Sequence, residues 1–508
     1  MLPTRRPTIL LVVALAAGVA LTITLVATTT GYPLDDTWIH LDYARSLVDH
    51  FTFGYTPGEW QNGSTAPLWS VLVALPLAVG VPPELAAKLI GLVALCALIF
   101  FTYRIVLQLG GPVAAAAAAL IVAFDPWVSV LSISGMEVVG AMAAVTAAID
   151  GVLRRHWPQG GIALAACGLL RPELGLFVAI LVVSARKLAR KEGARIPLRG
   201  WLWLVLPAAV AGGAWMLYGL AINGRAFPNS YMVKTYTGLH LVPQLDSLRA
   251  LLLGGPWFAS AVVIGISLVA TNHFCQPKQR LIGPMVLSPF VLLCGYVFML
   301  PLGRDYGPMR AGSAENLYHA RYSLLLLPWL FVWVTVGAKL LFDGIRELVG
   351  RRYSARVATL LAAGTLVVAA GLVVPWWQGH RGILRQAYRA NCNEIQNAQV
   401  KMGKWIDEEL DEDAVIAVSD AGALRYFSNR YVVDLRGLNT PDLIGRLDRV
   451  RKLHEYGVTH LVIWPNWHKQ MLKDERLKTE IVGRAHIESP TMIPGDLFVF
   501  EIEDLQEH

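Results

Sequence analysis

The sequence predicts a polytopic α-helical membrane protein, with about eleven transmembrane helices and one re-entrant or juxtamembrane helix, ending in a small α/β soluble domain. Three observations predict it. Mean hydropathy is +0.48, and the 508 residues are 55% hydrophobic and 16% charged, against roughly 25% charged in soluble domains. Long apolar runs fill the chain to about Trp377 and stop, while charged residues crowd everything after Arg381. Finally, Lys and Arg sit between the apolar runs, where they act as topology signals. Two domains follow: 1–377 in lipid, including a first outer loop at 31–83, and 378–508 in water.

The first apolar run, Thr8 to about Thr30, follows Arg5 and Arg6. It is longer than the roughly 7–15 residue core of a signal peptide and no A-x-A site follows it, so it reads as an anchor. With both arginines inside, the chain emerges before Gly31 and puts Asp35, Asp36, Asp42, Asp49 and Glu59 outside. The next stretch, Pro67 to Val81, is short for a span and lies between Gly63 and Pro82-Pro83, as a re-entrant or interfacial helix would.

Further spans are then expected at about 84–108, 111–133, 137–153, 159–171, 173–189, 201–222, 249–270, 281–300, 321–342 and 357–375. Each strongly basic connector falls on one side: Arg104, Arg154 with Arg155, the cluster Arg186 to Arg199, Lys278 with Arg280, and Arg346, Arg351, Arg352 and Arg356. Counting 67–81 as a crossing would move the Arg186 to Arg199 cluster outside, against the charge rule. The pair 159–171 and 173–189 also reads as two half-helices meeting at Arg171-Pro172. The expected location is a cell (inner or plasma) membrane, multi-pass, with a cytoplasmic N-terminus and an extracytoplasmic C-terminal domain.

In that domain Cys392 to Leu410 has the pattern of an amphipathic helix. Ala414 to Val418, Tyr431 to Asp434, His460 to Trp464 and Leu497 to Ile502 have the pattern of short strands. The net charge of +7 is spread among connectors instead of gathered in one stripe, which argues against a nucleic-acid partner. Cys96, Cys167 and Cys294 lie in apolar runs, Cys275 in a connector and Cys392 in the soluble part, with no disulfide framework or CxxC metal site.

Chemistry-bearing residues gather at the outer face. Asp35 and Asp36 follow the first span, where adjacent acids are costly unless used. Such a pair can supply a general base for a sugar hydroxyl or hold a divalent metal; alternatively Asp35 is the N-cap of a helix from Asp36 to Val48. The stretch from Tyr55 to Trp69 is turn-rich and aromatic, and Trp69 serves either as an interfacial anchor or as a face for sugar stacking. Glu137 sits at the outer mouth of a span. Arg171 and Glu173 flank a proline between short helices, where the guanidinium can grip a lipid phosphate or pair with Glu137 or Glu173. Lys234, His319 and Arg321 lie on further outer loops, as ligands for a donor phosphate or as solvated residues.

An acid pair after the first helix, Pro67-Leu68-Trp69, Gly135-Met136-Glu137, Arg171-Pro172-Glu173 and Pro228-Asn229-Ser230-Tyr231 with Lys234 together resemble the GT-C superfamily of membrane glycosyltransferases. Within it, the chain is similar to arabinofuranosyltransferases that add terminal residues to cell-wall arabinan. Asp420 to Tyr426 and Asp434 to Asn439 extend the likeness into the soluble domain. The resemblance implies transfer of a sugar from a polyprenyl-phosphate donor to an acceptor hydroxyl of a glycan, lipid or protein. It implies inversion, Asp35 or Asp36 as base, and in many such enzymes no metal cofactor. Where the family has Arg-Tyr-Ala this chain has Asp42-Tyr43-Ala44, and where it has Tyr-Thr-Asn-Pro-Leu-Trp it has Ser64 to Trp69; these departures bear on the sugar carried by the donor.

Two other functions compete: a transporter or flippase of lipid-linked sugar, and a non-catalytic envelope assembly protein. Intramembrane charges and broken helices also mark transport paths, but the internal hydropathy symmetry common in transporters is absent.

Overall fold

The computed structural model describes residues 5–191, 193–230, 233, 324–444, 448–486 and 495–505. Helix α1 (Arg5–Val26) packs along α4 (Pro83–Phe124). Between them lie α2 (Asp36–His50) and α3 (Pro67–Ala78). The 12 residues of α3 span about 18 Å at 1.5 Å per residue, short of the roughly 30 Å hydrocarbon core.

Two expected spans differ from the structure. Helix α4 runs through the expected connector at 109–110 and turns at Gly111 (φ 82°, ψ −178°), just before Pro112. The expected span 111–133 then breaks at Asp125, whose extended backbone (φ −64°, ψ 123°) precedes Pro126. Proline disfavours helical backbone in the residue before it, and the Asp125 carboxylate accepts from Val128 N at 2.9 Å to start α5 (Pro126–Ser132).

Helices α6 (Val138–Leu153), α7 (Trp157–Leu170), α8 (Gly175–Lys191) and α9 (Leu198–Asn223) follow. Between α7 and α8, Arg171 is extended before Pro172 and a single turn, Pro172–Leu174, so these are two short helices meeting at Arg171-Pro172. At the end of α6 remote from the acid pair, the buried carboxylate of Asp150 is held by Arg104 at 2.8 Å, Gln108 at 3.1 Å and Gln159 at 2.8 Å. Among the described residues, α1, α4, α9 and α10 (Leu327–Gly350) are long and apolar enough to cross a membrane. The expected spans 249–270 and 281–300 lie outside the described residues, so the expected total of eleven is not established.

The last helix of the lipid domain, α11 (Ala355–Ile395), is 41 residues long. It crosses the expected domain boundary at 377/378 without a break and takes in the start of the expected separate helix Cys392 to Leu410. A π turn, Gln396–Val400, joins it to α12 (Lys401–Glu409).

The C-terminal domain is a mixed sheet in the order β2-β1-β3-β5-β4. Strands β1 (Val415–Val418), β2 (Tyr431–Asp434) and β3 (His460–Ile463) are parallel, while β5 (Leu497–Leu505) and β4 (Leu477–Ala485) add antiparallel pairs. Alternation sorts the core: Ile416, Val418 and Val462 face Met402 and Ile406 of α12, and Ala417, Val433 and Leu461 face Val450 and Leu453 of α14 (Arg449–Glu455). The remaining helix, α13 (Ala423–Ser428), links β1 to β2.

Candidate functional site

The helix ends around the acid pair are tied together by buried donors. Tyr32 donates to the Pro83 carbonyl at 2.6 Å, Thr37 to Ser134 at 2.9 Å, Trp69 to Gly135 at 2.7 Å and Tyr388 to Ile133 at 3.1 Å. A Cβ on Gly135, whose φ is +79°, would stand 2.2 Å from Thr37 Cγ2. Only glycine permits that turn, and the turn presents Glu137.

Asp35 stands at the N-cap position of α2, but its side chain makes no capping hydrogen bond. Its carboxylate reaches the C-terminal domain, where Oδ2 accepts from Gly422 N at 2.7 Å and Oδ1 from Ala423 N at 2.8 Å. Nearby, Asp420 Oδ2 accepts from Gln399 at 3.0 Å and from the Trp464 indole at 2.9 Å. Burial, reinforced by the charge of Asp420, holds the Asp35 carboxyl well above the usual range against the two N–H groups, and Asp36 pushes the same way. Burial likewise pushes Asp420 up, opposed chiefly by Arg436, with Asp36 again reinforcing. Because Asp35 is bonded to the backbone two and three residues after Asp420, Asp35, its neighbour Asp36 and Asp420 gather in one acidic trio where the segment after α1 meets the C-terminal domain.

A second cluster adjoins it. Glu137 takes Arg171 Nε at 2.6 Å on Oε1 and faces His40 Nε2 at 3.5 Å on Oε2, while Arg171 also holds Glu173 at 3.1 Å. Nδ1 of His40 lies 3.1 Å from the Ser70 hydroxyl. The guanidinium of Arg171 is therefore matched by two carboxylates, the ion-pairing alternative of the sequence reading. Trp69 is fully buried, and its ring packs where a Cβ on Gly140 would stand, 3.1 Å from Cζ3. As placed, it is enclosed, so it offers no open face for a sugar.

The loop and the soluble domain pack closely over the acid trio. Arg45 donates to the Tyr426 carbonyl at 2.9 Å and lies over its ring at 4.1 Å, and Trp38 packs edge-on to Phe427 at 4.7 Å. Tyr55 donates to Ala421 O at 2.6 Å, and Tyr43 contacts Asn439 at 3.4 Å. Asn439 is set by Asp434, which accepts from its backbone N–H at 2.9 Å. Beneath them, Asp42 is paired with Arg45 at 3.2 Å, and burial pushes its carboxyl up to about 7 despite Arg45 and Arg425.

Of the remaining expected residues, Lys234, His319 and Arg321 lie outside the described residues. The run before Lys234 does reach the loop, since Asn229 N donates to Asn62 O at 3.0 Å and the Ser230 hydroxyl to Gly63 O. Sequence reasoning did not single out His40 or Asp420. His40 was legible by period, four residues after Asp36 on one helical face; Asp420 carries no local signal of its depth. Among the described residues no group of three or more His, Cys, Asp and Glu side chains is arranged to hold a metal ion.

Residues 386–491 match a domain of unknown function, DUF8728. No curated protein matches the chain. Solved structures do match. ArnT from Cupriavidus metallidurans, bound to undecaprenyl phosphate, superposes at TM-score 0.61 and 12% identity, over 98% of each chain. The oligosaccharyltransferase AglB from Archaeoglobus fulgidus, with an inhibitory peptide and a dolichol-phosphate, matches at TM-score 0.56 and 11% identity, over 98% of this chain and 74% of its own. The arabinofuranosyltransferase AftD from mycobacteria matches at TM-score 0.50 and 14% identity, over 96% of this chain, which spans 41% of AftD's length. The chain has the GT-C membrane fold.

Proposed function

We propose that this protein is a glycosyltransferase that moves a sugar from a polyprenyl-phosphate donor to an acceptor hydroxyl at the outer face of a cell membrane, with inversion at the anomeric carbon. The observation that carries the reading is the carboxylate trio of Asp35, Asp36 and Asp420 on a GT-C fold. Two of the matching structures hold a polyprenyl phosphate, and such a donor keeps its chain in lipid while its sugar meets water, which calls for carboxylates at that boundary.

In this reading Asp36 is the base. Asp35 has one backbone N–H on each oxygen, which fixes it in place, whereas Asp36 is the first residue of α2. The raised proton affinity of Asp35 and Asp420 gives an abstracted proton neighbours to share it, as suits general-base work. Glu137 and Glu173 position Arg171 beside the site, and contacts to the donor phosphate are assigned to Lys234, His319 and Arg321 on their sequence positions. The acceptor is a glycan, lipid or protein.

The test is turnover of a labelled polyprenyl-phosphate sugar by protein in nanodiscs. Asp36→Asn is expected to lose about 100-fold or more in kcat, the scale of a lost general base. Full turnover by both Asp36→Asn and Asp35→Asn would remove the assignment, and donor crossing the bilayer without product would favour a transporter.

A further inference from the structure

On the soluble domain, beyond the carboxyl ends of the parallel strands, lies a cavity of about 740 Å³ with Arg449, Asn466, Trp467, His468, Lys469 and Gln470 in its wall. Strand order β2-β1-β3 reverses direction at β1, the kind of switch point where α/β sheets bind ligands. The two carboxylates in the wall are already taken: Arg476 pairs with Asp448 at 2.6 Å and with Asp474 at 2.7 Å. Among the described residues Arg449 and Lys469 have no ion-pair partner, so the cavity carries surplus positive charge.

The buried His468, 6% exposed, points to what that charge is for. Its Nε2 lies 2.9 Å from Ser419 Oγ, which itself accepts from Trp464 N at 3.3 Å. When the serine hydroxyl donates to Nε2, the neutral ring carries its proton on Nδ1 and offers Nδ1–H as a donor. Nδ1 is buried and has no partner among the described residues. Burial and the charges of Arg449 and Arg436 keep the ring neutral, pushed down to about 4, so in that tautomer it is a neutral donor beside the guanidinium groups. Arg436 also lies over the Trp467 ring at 4.6 Å.

We infer that this cavity binds a saccharide carrying a phosphate or carboxylate group. Arg449, Lys469 and His468 meet the anion with charge-assisted and neutral N–H donors. Trp467 supplies an aromatic wall for the sugar body, and the amides of Asn466 and Gln470 supply donors and acceptors for its hydroxyls. A bare oxyanion would fill only a small part of the space. This inference concerns a site apart from the acid trio and stands without the transfer reaction.

The experiment is calorimetric titration of the full chain in nanodiscs of uncharged lipid with glucose 1-phosphate, glucuronate, inorganic phosphate and glucose. Both anionic sugars are expected to bind saturably, inorganic phosphate at least tenfold more weakly than glucose 1-phosphate, and glucose not measurably. Arg449→Gln and Lys469→Gln are each expected to weaken the anionic sugars threefold or more and the double variant tenfold or more, while Asp36→Asn binds as the parent does. Absence of binding by both anionic sugars overturns the site, and so does an unchanged double variant. Equal affinity for inorganic phosphate overturns the saccharide, and loss of binding in Asp36→Asn moves the site to the acid trio.

Discussion

Asp35 and Gly422 stand 387 residues apart in sequence, yet the carboxylate of one accepts the backbone N–H of the other at 2.7 Å. With the Ala423 N–H beside it, the segment between α1 and α2 supplies the acceptor that the start of α13 needs. The loop and the soluble domain are built as one unit.

That unit has a measurable cost of disruption. Asp35→Ala leaves both N–H groups without their acceptor and is expected to destabilise the docked domain by about 1–3 kcal/mol, the cost of leaving a buried donor unsatisfied. Asp35→Asn keeps one acceptor oxygen and should lose less. Hydrogen exchange at 420–428, together with thermal unfolding, measures both; unchanged protection in Asp35→Ala would contradict the linkage.

Gly422→Ala tests the same apposition by volume. A Cβ there would lie 2.0 Å from the Asp35 carbonyl oxygen, a backbone atom that cannot swing aside. The expected outcome is loss of the docked domain and of transfer activity. Gly168→Ala, where a Cβ meets nothing within 4 Å, is the matched control and should be neutral or stabilising by about 0.5–1 kcal/mol as a glycine inside a helix.

Glu137→Ala leaves Arg171 in a buried position with Glu173 alone. Removing one partner of a buried ion pair costs roughly 3–5 kcal/mol, so a large fall in unfolding midpoint is expected. Glu137→Gln, which still accepts a hydrogen bond, should fall less. A midpoint within error of the parent for Glu137→Ala would show that the pair carries no stability.

Asp42 sets a pH dependence. Its carboxyl titrates at about 7 when folded and near ~3.9 when unfolded, so the folded state binds more protons between those values. Stability from this group is fully present below about pH 4 and is lost as pH rises through about 7. Asp42→Asn, neutral throughout, should abolish that slope. Thermal unfolding at pH 5 and pH 8 reads it, and a slope surviving in the variant would assign it to another group.

Helices α1 and α9 were legible because length and hydropathy register directly in sequence, and β1, β2 and β3 because buried parallel strands are short apolar runs. Strand β4 was not. Its residues are mostly exposed, with Lys478, Glu480 and Arg484 on an edge and two register shifts, which destroys the period-two pattern. The break at Asp125-Pro126 was written in the sequence as a proline rule, outweighed in the reading by continuous hydropathy. At the site, the acid pair could be located from topology, but what it touches could not: the partners of Asp35 are backbone groups, which leave no trace in side-chain identity. Arg171 showed the converse, since both carboxylates had been named as alternative partners and only distances could show that it pairs with both.

Helix α11 runs unbroken from the lipid domain into the soluble one, and this makes the angular setting of the soluble domain a matter of residue count. Each residue added to or removed from that rod turns everything beyond it by about 100° and shifts it by about 1.5 Å. The single π turn at Gln396–Val400 is itself such a one-residue adjustment, phasing the domain so that Gly422 faces Asp35. Lineages that altered the length of this helix would have had to do so by whole turns, or forfeit the alignment.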